Sequence, residues 1–136
     1  MQKLIILALL LACGTAHAAD WVSTGKTDDG QMENFTDVSS IRVAGAIRRA
    51  WVKTVYGAHV RKGEGQEANK WYGYAVSRVS FDCNEENYRS EAVSVYFTDG
   101  TNSSDSPAGF PTAWAPVPPD TALSAIMQFI CAWKPK

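Results

Sequence analysis

Along most of the chain apolar and polar residues follow a period of about two, and near the C-terminus that period changes. Leu123, Ile126, Met127, Ile130 and Cys131 recur at i, i+3, i+4, i+7 and i+8, which is one face of an α-helix. The pattern predicts a helix over residues 120–133, with Asp120 as N-cap and Pro118 and Pro119 preventing an earlier start. A helix of about a dozen residues is marginal alone in water, so this one must dock on something. Everything before it reads as β-strand. Strands are predicted over residues 20–25, 31–36, 46–56, 71–83 and 88–99, rich in β-branched and aromatic side chains. Turn signals separate them, at residues 27–30, at Gly45 and at 84–87. Residues 37–41 break the alternation as a corner with an Asx or Ser turn and one short helical turn. Residues 57–70 are polar and form a hairpin connection with Gly63-Glu64-Gly65 at its tip, and residues 101–111 form a solvated loop.

The strand over residues 71–83 is the most informative about faces. Its odd positions run Trp71, Gly73, Ala75, Ser77, Val79, Phe81 and Cys83; they end apolar, and their small members would let a helix approach closely. That face is the predicted core. Tyr72, Tyr74 and Arg78 then fall on the opposite, solvent-facing side. Val93, Val95 and Phe97 share one side of the next strand, whereas in residues 46–56 the buried face is ambiguous, because Trp51 shares its parity with Arg49 and Lys53. Strands joined by short connections imply an antiparallel meander, and one helix covering one of its faces makes the class α+β.

The first eighteen residues stand apart from this pattern. Lys3, the apolar run 4–12 and Ala16-His17-Ala18 have the composition of a secretory signal peptide, which leaves residues 19–136 as a single domain. Leu10-Leu11-Ala12-Cys13 offers a second reading as a lipobox with Cys13 lipidated, although the signal would then be only twelve residues long. Either reading predicts export, to the periplasm, the outer-membrane surface or the medium. No later stretch is long enough to span a bilayer as a helix.

After Ala18 the chain carries 12 basic and 14 acidic side chains, so a basic excess for nucleic-acid binding is lacking. It retains two cysteines, Cys83 and Cys131, and one histidine, His59. An even pair in an oxidising compartment is most simply one disulfide. A two-thiol metal site is the alternative, but neither cysteine lies in a C-x-x-C and zinc wants three or four protein ligands. No nucleophile motif accompanies His59, the carboxylates cluster at turn-like positions, and Gly63-Glu64-Gly65 lacks the context of a phosphate loop. The reading is therefore a protein without catalytic residues, metal or cofactor.

Several segments in order resemble the surface-adhesin protein E family: Phe35-Thr36-Asp37-Val38-Ser39-Ser40-Ile41; Arg49-Ala50-Trp51; Ser77 leading to Cys83; and Trp114-Ala115-Pro116-Val117-Pro118-Pro119-Asp120-Thr121 leading to Cys131. The likeness runs from about Trp21 to Trp133. It implies about six antiparallel strands with the C-terminal helix tied to the sheet by a Cys83–Cys131 disulfide. It also implies that some members sit on the bacterial surface and bind host extracellular-matrix or plasma proteins. At the helix start the family pattern leads one to expect Pro-Gly-Ser, where this chain has Pro119-Asp120-Thr121.

The function expected is a secreted, non-enzymatic protein-binding module; the alternative is a periplasmic structural or accessory domain without a host ligand. Candidate contact residues are Tyr72, Tyr74 and Arg78 on the solvent face, with Arg61 and Lys62 at the polar hairpin. The same strip would equally suit a homodimer contact or inert cover of the sheet. Arg48, Arg49, Lys53, Arg61, Lys62 and Lys70 suggest a local positive region near that hairpin, or else a solvated strand edge.

Overall fold

The computed structural model describes residues 17–105, 107 and 109–136; the predicted signal region through residue 16, Cys13 included, lies outside the described residues. Among the described residues eight strands form a single antiparallel sheet: β1 (Trp21–Lys26), β2 (Met32–Asp37), β3 (Arg42–Ala44), β4 (Ile47–Tyr56), β5 (Tyr72–Asp82), β6 (Asn87–Phe97), β7 (Asn102–Ser103) and β8 (Ala115–Pro116). The main path is β1-β2-β4-β5-β6-β7, with β3 also on β4 and β8 also on β6. β2 and β3 lie along the same edge of β4 at its two ends, and β7 and β8 do the same on β6. The eight strands therefore occupy six positions across the sheet, as the family resemblance implies.

The corner predicted at residues 37–41 is what splits β2 from β3. Asp37 Oδ1 accepts from the Ser39 amide (3.1 Å) and the Ser39 hydroxyl (2.6 Å), which nucleates a single 3₁₀ turn at Val38–Ser40. The same carboxylate also accepts from the Asp20 amide at 3.0 Å, which fixes the start of β1. Ser40 then returns as an acceptor for the Trp51 amide at 2.9 Å, stitching the corner to β4.

The helix α1 (Ala122–Ala132) packs on one face of the sheet. Its N-cap is Thr121, one residue later than predicted. Thr121 Oγ1 accepts from the Ser124 amide, and Ser124 Oγ accepts from the Thr121 amide, forming a reciprocal capping box. Asp120 cannot cap because it sits at φ +57°, the left-handed region, where an N-cap needs extended backbone. The chain thus uses Asp120-Thr121 where Gly-Ser was expected, with Asp accepting the left-handed position and Thr the capping one.

Ile126, Met127 and Ile130 are buried against Ile41, Ala50, Val52, Val79 and Phe81, with Leu123 and Cys131 partly buried beside them. Burying each of the three helix side chains is worth about 1.5–3 kcal/mol, which is what holds so short a helix. The Cys83–Cys131 bridge closes, with Cα atoms 5.8 Å apart, and ties the last turn of the helix to the end of β5. Arg48 adds a polar tie, donating from Nη1 to the carbonyl oxygens of Ile130 (3.0 Å) and Trp133 at the helix C-terminus.

The helix does not rest on the small residues of β5. It lies mainly over β1, β2 and β4, and it comes close at Gly25, where a Cβ would stand 3.3 Å from the Ala122 carbonyl oxygen. The far half of the same face carries a second core, Tyr56, Tyr72, Ala75, Val93, Val95 and Phe97. Val60 of the hairpin and Phe110 of the 101–111 loop pack on it, so that loop is part of the fold's cover rather than purely solvated. A cavity of about 200 Å³ lies between the two cores, floored by Asn34, Thr54 and Ser77 and edged by Leu123 and Phe110.

Candidate functional site

With α1 and two loops on one face, the opposite face of the sheet remains open. Side-chain alternation places on it Phe35 from β2, Arg49, Trp51, Lys53 and Val55 from β4, Tyr74, Val76 and Arg78 from β5, and Tyr96 from β6. The ambiguity in β4 is resolved here. Ala50, Val52 and Tyr56 are buried on the helix side, so Trp51 shares the open face with its cationic neighbours.

Tyr72 is the exception to the expected strip. It is 2% exposed and belongs to the second core, packed edge-on to Tyr56 (5.2 Å) and Phe97 (5.5 Å). The cause is a β-bulge. Tyr72 pairs with Phe97 and Tyr74 with Tyr96, so Gly73 is an extra residue and the alternation restarts after it. A Cβ at Gly73 would lie 3.2 Å from the Tyr96 carbonyl oxygen, which suits glycine at the bulge. Tyr74 does face solvent, at 38% exposure, and stacks flat on Tyr96 with centroids 4.5 Å apart.

A second bulge shapes the other end. Arg78 pairs with Ala92 and Val79 with Ser90, leaving Glu91 as the extra residue of β6. Glu91 becomes the hub of the open face: it accepts from Arg78 (3.0 Å) and Ser80 (2.8 Å) and pairs with Arg49 (3.4 Å) and Arg89 (3.6 Å). Burial pushes its carboxyl up, but the Ser80 hydroxyl and the Arg49 and Arg78 guanidiniums outweigh that and hold it below the usual glutamate range. Arg78 lies over the Trp51 ring at 5.8 Å, and Arg89 over Trp114 at 4.8 Å. Nearer the first strand, Lys53 sits between the rings of Trp21 (4.7 Å) and Phe35 (5.5 Å).

The remaining candidates lie elsewhere. Arg61 is on the covered side, its guanidinium over Tyr72 (4.9 Å) and Phe110 (5.6 Å) and paired with Glu64 at 3.7 Å. Burial raises the phenols of Tyr56 and Tyr72, with Arg61 opposing the rise. Lys62 is exposed at the hairpin base, 5.4 Å above the Trp71 ring, against which His59 also packs at 4.8 Å. The predicted positive region near the hairpin disperses. Arg48 turns to the helix end, Lys53 to the aromatic pair, and Lys70 to Glu67 at 2.6 Å. The grouping that does form, Arg42, Arg49, Arg78 and Arg89, depends on strand register. Tyr96 and Glu91 escaped prediction for the same reason, since their neighbours come from other strands.

Among the described residues, no cluster of three or more His, Cys, Asp or Glu side chains is arranged to hold a metal ion, and no helix is long and apolar enough to cross a membrane. What the open face offers is aromatic surface and guanidinium forks gathered on the committed carboxylate of Glu91, a set suited to contact with another molecule.

Comparison with known proteins agrees with this architecture. The family model for surface-adhesin protein E matches residues 21–132. A search of curated proteins gave no match. Among solved structures, crystal form II of Haemophilus influenzae protein E aligns over 90% of this chain and 94% of that one, with TM-score 0.54 and 18% identity. The selenomethionine form of the same protein covers 90% and 93%, with TM-score 0.55 and 18% identity. Protein E from non-typeable Haemophilus influenzae covers 90% and 82%, with TM-score 0.52 and again 18% identity. At that identity the structural likeness speaks to fold, and the family assignment rests on the match over nearly all of the described domain.

Proposed function

We propose that this chain, which belongs to the surface-adhesin protein E family, is an exported, non-enzymatic module that binds protein partners through the open face of its sheet. The observation that carries the proposal is the asymmetry of the two faces. One is closed by α1 and two loops, whereas the other presents Tyr74 on Tyr96, Val55 at 39% exposure and Lys53 between two rings. Aromatic side chains with cationic neighbours on a rigid scaffold are what protein interfaces use as anchors. The family extends the proposal to host extracellular-matrix or plasma proteins as partners, and to the bacterial surface as the place of action. Residues 1–18 serve in this account as the export signal.

Two measurements test it. Proteinase added to intact cells should remove the protein if it is displayed; protection would support a periplasmic accessory role and overturn the adhesin reading. A solid-phase screen of the purified domain against matrix proteins should return a saturable ligand, and silence across the panel would count against it.

A further inference from the structure

At the end of the open face remote from Tyr74, cross-strand register builds a row of cations. Arg42 on β3 pairs directly with Arg49 on β4, Arg49 with Ser80 on β5, and Ser80 with Arg89 on β6. Residues directly opposite point to the same side, so three arginines and one serine stand in line across the sheet. Adjacent strands are about 4.8 Å apart, which makes the row about 14 Å long. Arg78, one step along β5, flanks it, and Trp51, its cross-strand partner, floors a cleft of about 200 Å³ whose walls are Ser40, Arg42, Arg49 and Arg78. Four guanidiniums stand here, and Arg49, Arg78 and Arg89 share the carboxylate of Glu91 while Arg42 does not reach it; the four with Glu91 carry a local charge of +3 in a chain whose total is −1. Asp82 lies next along β5, but its Oδ1 accepts from the amides of Asn84 and Glu85 and is directed into that turn.

Like charges directly opposite across strands destabilise a sheet, so the Arg42–Arg49 pair works against stability. Arg42 meets only part of its needs locally, donating from Nη1 to the Ser39 and Ile41 carbonyls, and its residue remains exposed. We infer that the Arg42–Arg49–Arg89 row, with Arg78 and the Trp51 cleft, is a binding site for a linear polyanionic glycan bearing sulfate or carboxylate groups. Guanidinium forks recognise those groups bidentately, and a linear polymer matches a linear row. An acidic peptide is the less suitable occupant. Main-chain groups in the middle of the sheet are already paired between strands, so a peptide lying across it gains no backbone ladder there and binds by side chains alone. The site does not rest on the protein-binding reading: six residues of β4, about 20 Å, separate Arg49 from Val55 beside Tyr74.

The test is titration calorimetry of the purified domain with a heparin octasaccharide, a polyglutamate of equal charge, and inorganic sulfate. The octasaccharide should bind, more tightly than polyglutamate, with affinity falling about tenfold from about 50 mM to about 200 mM salt by counterion release. The Arg42→Ser/Arg49→Ser variant should lose about tenfold or more in affinity and show a shallower salt dependence, while melting within a few degrees of wild type. Equal or tighter binding of polyglutamate would assign the row to an acidic protein segment and overturn the proposal. Unchanged octasaccharide affinity in the variant, or binding of neither polymer, would overturn it as well. Should the double variant fail to fold, Arg42→Ser alone, at an exposed residue, carries the same comparison.

Discussion

Tyr72 and Tyr74 stand two residues apart on one strand and point to opposite faces of the sheet, because Gly73 is bulged between them. The relationship separates a core residue from a contact residue with the same chemistry. Tyr72→Ala is expected to cost about 3–5 kcal/mol, as removal of a buried aromatic side chain does. Tyr74→Ala should cost about 1 kcal/mol, the worth of its stack on Tyr96. Chemical denaturation of the two variants checks this, and equal losses would refute the assignment of faces.

The disulfide encloses 48 residues of sequence separation. Loop-closure entropy then stabilises the fold by about 4 kcal/mol relative to the open chain. Cys131→Ser should lower the melting temperature strongly, and so should reductant added to the wild type. The Arg48 contacts to Ile130 and Trp133 persist in the reduced form, so Arg48→Ala should destabilise it further. A reduced protein melting at the wild-type temperature would contradict the tether.

At the helix start the roles of Asp120 and Thr121 are separable. Thr121→Ala removes the capping oxygen and should cost about 1 kcal/mol. Asp120→Gly relieves a left-handed φ of 57° and should be neutral or stabilising. If Asp120→Gly instead proved the more damaging, the cap would lie where the sequence alone suggested.

Glu91 links stability to pH. Its carboxyl is held below the ordinary value of 4.5 in the folded protein. A depressed folded-state pKa gives stability that is present above the unfolded value and is lost as pH falls through the folded one. The melting temperature should therefore fall between about pH 6 and about pH 3 more steeply for wild type than for Glu91→Gln, so the two curves converge in acid. Parallel curves would mean that the Arg49, Arg78 and Arg89 contacts leave Glu91 energetically neutral.

How far the sequence carried the fold can be judged from these residues. The helix face at Ile126, Met127 and Ile130 was legible because a 3.6 period survives any tertiary arrangement. Five long strands, the Asp37 corner and the cysteine bridge were legible for similarly local reasons. The faces were legible only between bulges. Alternation over residues 71–83 correctly buried Ala75, Ser77, Val79 and Phe81 and exposed Tyr74, but it misplaced Tyr72, since one inserted residue inverts parity. The site was legible least. Glu91 joins arginines from β4, β5 and β6, and Tyr74 meets Tyr96 across a strand boundary, relationships that exist only once register is fixed.

The central claim is that the open face binds a protein partner, and the most direct measurement compares wild type with Tyr74→Ser/Tyr96→Ser in surface binding to the matrix or plasma protein that the wild type captures. The account predicts that the variant keeps its fold and loses about tenfold or more in affinity, about 1.4 kcal/mol. A folded variant that binds as tightly as wild type would contradict it.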